Sequence, residues 1–215
     1  MREYHKINTI FKRDARGHII EGSYSLPEFE YLKDNQWVFT EKIDGTNIRV
    51  MWDGKAVSYG GKTDKAAIPA ILLESLENLF GSETVGKKFA EKFGGPNAEP
   101  ETSICLYGEG YGARIQKGGG NYIKDGVSFI LFDVTIGNWW MKRDAVEEIA
   151  AYFAIRVVPI VGTGTLNDAI ELTRKGQKSQ WGDFLSEGIV ARPSVELRTR
   201  RGDRIITKIK REDFK

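Results

Sequence analysis

The run VSFILFDVTI, residues 127 to 136, constrains the fold of this chain more than any other feature. Ten mostly apolar residues, rich in β-branched and aromatic side chains, read as a strand buried in a sheet. A second run, ICLYGEGYG at 104 to 112, reads the same way. Ahead of them, WVFT and TNIRVMWDG are followed by a DGK turn at Asp53–Lys55 and then AVSY, which predicts a further set of strands. Ile68, Leu72, Leu76 and Leu79 recur at helical spacing, with Pro69 tolerated in the first turn, so a helix is expected from Ile68 to Phe80. Asp144 with Glu147, and Thr165 with Asp168, look like capping-box starts of two more helices, the first ending near Phe153. The breaker-rich segment 94 to 103 reads as a surface loop. The tail from Glu187 to Lys210 reads as two or three strands joined by RRGD. Strands and helices alternate without a βαβ rhythm, which favours an α+β fold with mainly antiparallel sheets flanked by helices.

Composition narrows the function classes. The 215 residues are 40% hydrophobic and 11% aromatic, enough to bury a core. A formal charge of +2 leaves nucleic-acid contact to local basic patches. One cysteine, Cys105, excludes an internal disulfide and a cysteine-based zinc cluster, and two histidines are too few for a metal cage. No apolar run approaches the ~18 residues of a membrane span, and the charged start is not a signal peptide. A cytoplasmic monomer with no membrane association is the expectation.

Two motifs look functional and are not. GGKT at 60 to 63 lacks the glycine that a phosphate-binding P-loop needs five residues before Gly61, where Ala56 stands. GEGYGA at 108 to 113 fits a loose dinucleotide fingerprint, but RIQKGGG after it is a poor helix. Cys105, inside an apolar run, reads as a small core residue.

A different set of residues carries chemistry. Lys42, in FTEKIDGTNIRV, stands at the end of a strand-like run with charged neighbours. A lysine amine becomes a nucleophile when desolvation or nearby positive charge lowers its pKa. Attack on phosphorus would then need cations for the leaving phosphates, carboxylates for a metal or a sugar hydroxyl, and an aromatic face for a base. Glu109, Phe129, Glu187, Lys208 and Lys210 lie at or near predicted strand ends, and the last two, two residues apart, share one strand face. Taken singly, Glu-Gly is most often a turn, and alternating lysines most often guard a solvated edge.

In order, KIDGTN, YGEGYG, SFILFDV, SEGIVAR and ITKIKR closely resemble motifs I, III, IIIa, IV and V of the covalent nucleotidyltransferases, over about residues 37 to 211. That superfamily contains ATP-dependent DNA ligases, RNA ligases and mRNA capping enzymes. Thr46 and Asn47 resemble the RNA ligases of the phage end-repair and trypanosome editing type, where DNA ligases and capping enzymes carry arginine at the position of Asn47. The resemblance implies a nucleotidyltransferase (ATP-grasp-like ligase) domain and an ATP-dependent RNA ligase acting in RNA repair, with ATP and Mg2+ as cofactors and RNA or other polynucleotide ends as partners. A DNA ligase, an end-adenylylating enzyme and a non-catalytic nucleic-acid-binding domain are the alternatives.

Residue by residue, the resemblance implies that Lys42 forms lysyl-AMP and that Thr40 and Glu41 meet the adenine edge. Asn47 would orient substrate or phosphate, with Asp44 a secondary candidate, and Lys62 would be the motif Ia cation. Glu109 would hold the ribose and Phe129 would stack on adenine, a role Phe132 could also claim. Glu187 would stand near the metal, and Lys208 and Lys210 would be the motif V pair, one of them touching the α-phosphate and helping to depress the pKa of the nucleophilic lysine. Arg114 and Lys117, beside Tyr122, offer cations to a nucleic-acid backbone, and RTRRGDR offers a second basic tip. The chain stops five residues after Lys210, so the expectation is a single adenylyltransferase domain over 1–215 with no C-terminal oligonucleotide-binding (OB) or helical module.

Overall fold

A computed structural model describes residues 3–94 and 103–215. Most of the segment expected to be a surface loop, 95–102, lies outside the described residues. The chain folds into two compact units. One comprises Met1–Tyr4 with Asp44–Val157, and the other His5–Ile43 with Val158–Lys215.

In chain order the elements begin with β1 (Asn8–Thr9), β2 (Phe11–Arg13), β3 (Ile19–Tyr24), α1 (Pro27–Tyr31) and β4 (Trp37–Lys42). There follow β5 (Thr46–Trp52), β6 (Val57–Gly60), α2 (Ala70–Phe80), α3 (Glu83–Phe93), β7 (Ile104–Gly112), β8 (Val127–Ile136), β9 (Trp139–Trp140), α4 (Arg143–Tyr152) and β10 (Arg156–Val157). The chain then returns to the second unit with β11 (Ile160–Gly164), α5 (Leu166–Lys175), β12 (Gly188–Pro193) and β13 (Thr207–Lys210). The α+β expectation with mainly antiparallel sheets holds. Only β1 with β13 and β10 with β8 pair in parallel among the strand pairs described.

The unit containing Lys42 is built on a five-stranded sheet, ordered β1-β13-β12-β4-β11. Alternation along its strands buries Trp37, Phe39, Ile189, Ala191 and Ile209 on one face, against Leu166, Ala169 and Ile170 of α5. The capping box expected at Thr165 and Asp168 starts α5. The other unit has a larger sheet, β10-β8-β7-β5-β6, with β9 on β8. Its strands β7 and β8 coincide with the two apolar runs. One face packs Ile48, Val50, Leu106, Phe129 and Leu131 against Leu72, Leu76 and Phe80 of α2 and Phe89 of α3.

Three local expectations differ from the structure. The helix expected from Ile68 starts at Ala70, with Pro69 as its N-cap, because proline disfavours helical backbone in the residue before it. Asp144 and Glu147 form no capping box. Lys142 is the N-cap of α4, Asp144 accepts from the neighbouring Ala145 N–H, and Glu147 pairs with Arg143. Helix α3 was not expected from the sequence. Its apolar stripe is short: Val85, Phe89 and Phe93 recur four residues apart and pack on the core, and only Phe89 is fully buried. No helix among the described residues is long and apolar enough to cross a membrane.

Candidate active site

Thr40, Glu41, Lys42, Glu187, Lys208 and Lys210 belong to one unit, and Asn47, Lys62, Glu109, Phe129, Arg114 and Lys117 to the other.

On the five-stranded sheet, register sets the geometry. Lys42 is opposite Gly188, which is opposite Lys210, and Thr40 is opposite Val190, which is opposite Lys208. Partners across a ladder share a face, so Thr40, Lys42, Lys208 and Lys210 all lie on the face away from α5. Glu187 immediately precedes β12. Its carbonyl accepts from Arg211 N–H at 2.9 Å, which holds the backbone there. Lys42 Nζ donates to Glu187 Oε2, and Lys210 Nζ lies 3.2 Å from Glu187 Oε1. One carboxylate thus serves two ammonium groups, one per oxygen. Glu212 adds a second anion 3.0 Å from Lys210 Nζ. Burial pulls the Lys210 pKa down, but the Glu212 hydrogen bond and the Glu187 charge outweigh it, and the net shift is upward. The same hydrogen bond from Lys210, with its charge, lowers the Glu212 pKa. Three lysines on one face suit a polyphosphate.

Glu41 is placed differently from the expectation. Alternation turns its side chain to the α5 face, where it is buried and Oε2 accepts from Gln180 N–H at 3.0 Å. A side chain held there is turned away from the face of Lys42, which corrects its assignment to the adenine edge. Thr40 is buried on the Lys42 face, and its hydroxyl donates to Val190 O at 3.3 Å. Arg192, two residues beyond Val190, shares that face. Its signal in the sequence was the same alternation that placed the lysines.

On the larger sheet, Asn47 of β5 is opposite Glu109 of β7, so the two share a face. The Asn47 amide oxygen is buried and accepts no hydrogen bond among the described residues, an acceptor available to a ligand. A Cβ at Gly45 would run into Gly110 O and the Glu109 side chain, so the turn after Lys42 needs glycine to approach β7. Opposite Glu109 on its other side is Ile130, fully buried. Phe129, one residue earlier, therefore points to the opposite face. It is 1% exposed, packs edge-to-face on Phe80 at 5.7 Å, and occupies the space a side chain at Gly108 would need. The structure corrects the expectation that Phe129 stacks on adenine: it is a core residue on the α2 face. Phe132 packs edge-to-face on Tyr4 at 5.0 Å. Tyr4 also donates to buried Asp133 at 2.5 Å.

Arg114 and Lys117 are exposed on the β7–β8 loop. The loop is tied to the turn after motif I: Asp44 N–H donates to the Tyr122 hydroxyl at 3.3 Å, and Gln116 Nε2 donates to Gly45 O at 3.2 Å. Lys62 is exposed on the loop between β6 and α2. Arg49, which sequence reasoning left without a role, is fully buried beneath that loop. Cys105 is buried, and burial pushes its thiol up to about 11, as befits a core residue.

No group of three or more His, Cys, Asp or Glu side chains that could hold a metal occurs among the described residues. Magnesium does not need one, because it is commonly held by one or two carboxylates together with substrate phosphates and water. Glu187 beside the lysines fits that role.

A family model described as RNA ligase matches residues 35–210. Among solved structures, the fold is similar to that of the Naegleria gruberi RNA ligase. The apo form of an aspartate-to-alanine variant matches with TM-score 0.64 and 15% identity, over 99% of this chain and 58% of that one. A lysine-to-alanine variant with ATP and Mn matches with TM-score 0.63 and 16% identity, over 97% and 57%. The enzyme with PPi matches with TM-score 0.61 and 18% identity, over 96% and 61%. At such identity the likeness is one of fold. The chain spans less than two thirds of the length of the solved structures it matches.

Proposed function

Since the chain belongs to the RNA ligase family, we propose that its two units work as one adenylyltransferase domain of an ATP-dependent RNA ligase. Lys42 attacks the α-phosphorus of ATP. The Nζ–P bond forms as the bond to the pyrophosphate oxygen breaks, leaving lysyl-AMP. AMP then passes to a 5′-phosphate of RNA, and a 3′-hydroxyl displaces AMP to seal the strand. Each leaving group departs far more readily than hydroxide, so the protein's task is positioning and charge stabilisation. The observation that carries this reading is Lys42 sharing Glu187 with Lys210, at the end of adjacent strands.

The amine attacks only with a free lone pair, so the Lys42 ammonium must first lose a proton, which Glu187, its hydrogen-bond partner, is placed to accept and pass to solvent. Lys210, kept charged by Glu212 and Glu187, is suited to meet the α-phosphate, with Lys208 on the same face. Glu187 would help hold magnesium, whose charge would offset that of the phosphates. Glu109 is suited to the ribose hydroxyls, Asn47 to substrate orientation and Lys62 to a phosphate. Arg114 and Lys117 are suited to the RNA backbone. We further place the enzyme in the cytoplasm as a monomer.

Incubation with magnesium and α-labelled ATP, followed by denaturation, tests the chemistry. Label is expected on the wild type and absent from Lys42→Ala. An unlabelled wild type, folded by circular dichroism and free of bound AMP, would leave a nucleic-acid-binding domain in place of a ligase.

A further inference from the structure

The stretch GGKTD, residues 60 to 64, fails as a P-loop, yet the structure gives it an unusual support. Arg49 lies on the face of β5 that carries Asn47, and its side chain is fully buried. Its Nε donates to Gly61 O at 2.9 Å, and its Nη2 donates to Asp64 Oδ1 at 2.7 Å. These two bonds bracket Lys62, one residue before it and two after. Gly60 is opposite Arg49 in the ladder, and a Cβ there would sit 2.8 Å from Nη2. Glycine is what lets the guanidinium lie across β6. Asp64 is held from a second side, since its N–H donates to Glu3 Oε1 at 3.0 Å. The Arg49 hydrogen bond, with its charge, keeps the Asp64 carboxyl below the usual range.

Burying a guanidinium is costly unless its hydrogen bonds are made in good geometry. Holding an ordinary surface loop does not require it, because a β-turn with an Asx residue suffices. We propose that Arg49 and Asp64 are positioning residues that fix where Lys62 presents its ammonium to a phosphate. The inference rests on the reading of Lys62 as a phosphate-binding residue. That phosphate belongs either to ATP or to the 5′ end of the RNA, and the assay separates the two sources.

Lys62→Ala, Asp64→Ala, Asp64→Asn and the double variant Lys62→Ala/Asp64→Ala are compared as full chains. Two rates are read: lysyl-AMP formation against ATP concentration, and single-turnover transfer of AMP from pre-adenylylated enzyme to 5′-phosphorylated RNA. Thermal midpoints are read alongside. Lys62→Ala is expected to slow one of the two steps, which identifies the phosphate. Asp64→Ala is expected to slow the same step about tenfold, short of the ~100-fold that a 1 Å misplacement can cost. Asp64→Asn, which keeps an acceptor, is expected to recover part of it. The double variant should be no slower than Lys62→Ala alone, because the carboxylate acts through the lysine. Asp64→Ala takes an acceptor from a fully buried guanidinium and should lower the midpoint, whereas Asp64→Asn, which keeps one, should hold it.

Arg49→Lys, which cannot serve both acceptors, should reproduce Asp64→Ala. If that variant does not fold, the Asp64 series decides alone. Asp64→Ala with full rates beside a slow Lys62→Ala would overturn the positioning role and leave the lysine its own. Rate losses that add in the double variant, or an Asp64→Asn that loses rate only in step with a lowered midpoint, would make the pair a structural tie and overturn the proposal. A fully active Lys62→Ala would overturn the reading of Lys62 and the proposal with it.

Discussion

Phe129→Leu separates two roles that predict opposite outcomes. In the structure the ring is 1% exposed and packs edge-to-face on Phe80 at 5.7 Å, among Leu72, Leu76 and Leu131. Leucine stays apolar but forfeits the aromatic pair, worth about 0.5–1.5 kcal/mol, and leaves a small void. The two losses together are about 1–2 kcal/mol, a sizeable part of the ~5–15 kcal/mol that holds a domain folded. If the ring instead stacked on adenine, its loss would remove about 1–3 kcal/mol of nucleotide binding. That is roughly a 5- to 150-fold weakening. The assay is urea unfolding beside the ATP dependence of lysyl-AMP formation. Unfolding free energy should fall by about 1–2 kcal/mol while the KM for ATP stays within about twofold. An unmoved urea midpoint with KM raised more than about fivefold would refute the core assignment and restore the stacking role.

Three further substitutions test the lysine face and the starts of two helices. Glu212, with its pKa lowered by Lys210, contributes stability that is present above its ordinary 4.5 and is lost as pH falls through the lowered value. Lys210, with its pKa raised, contributes stability that is present below its ordinary 10.5 and is lost as pH rises through the raised value. The difference in urea stability between wild type and Glu212→Gln should therefore be flat between these limits and vanish in acid. A gap undiminished well below 4.5 would show that the carboxylate does not act through its charge. Thr165→Ala removes the hydroxyl that accepts from Asp168 N–H at 3.2 Å, and should cost about 1 kcal/mol in thermal or urea unfolding. Asp144→Ala, in a helix with no such box, should be near neutral, and equal losses would contradict the assigned caps.

What the sequence could show depended on whether the relevant pattern was local. Lys208 and Lys210 were placed on one face by their spacing, and the bounds of β7 and β8 followed from two apolar runs. The phase of β8 was illegible for the same reason. A strand apolar on both faces has no alternation to read, and its register shifts where Tyr107 is opposite Asp133 but Gly108 is opposite Leu131. That is how Phe129 could be taken for the Glu109 face when Ile130 occupies it. Glu41 misled in the opposite way, because a carboxylate beside a candidate nucleophile reads as its partner. The two-residue period of the strand sends it instead to the core face, where Gln180, 139 residues on, supplies its hydrogen bond. Arg49 was hidden by distance. Its burial has meaning only with Gly60 opposite it and Asp64 at the far end of the loop, and no short motif joins the three. GGKTD carried the signal in the form of a failed phosphate loop. Its first glycine and its aspartate make sense once a buried arginine is placed beneath them, and the proposed positioning of Lys62 rests on that arrangement.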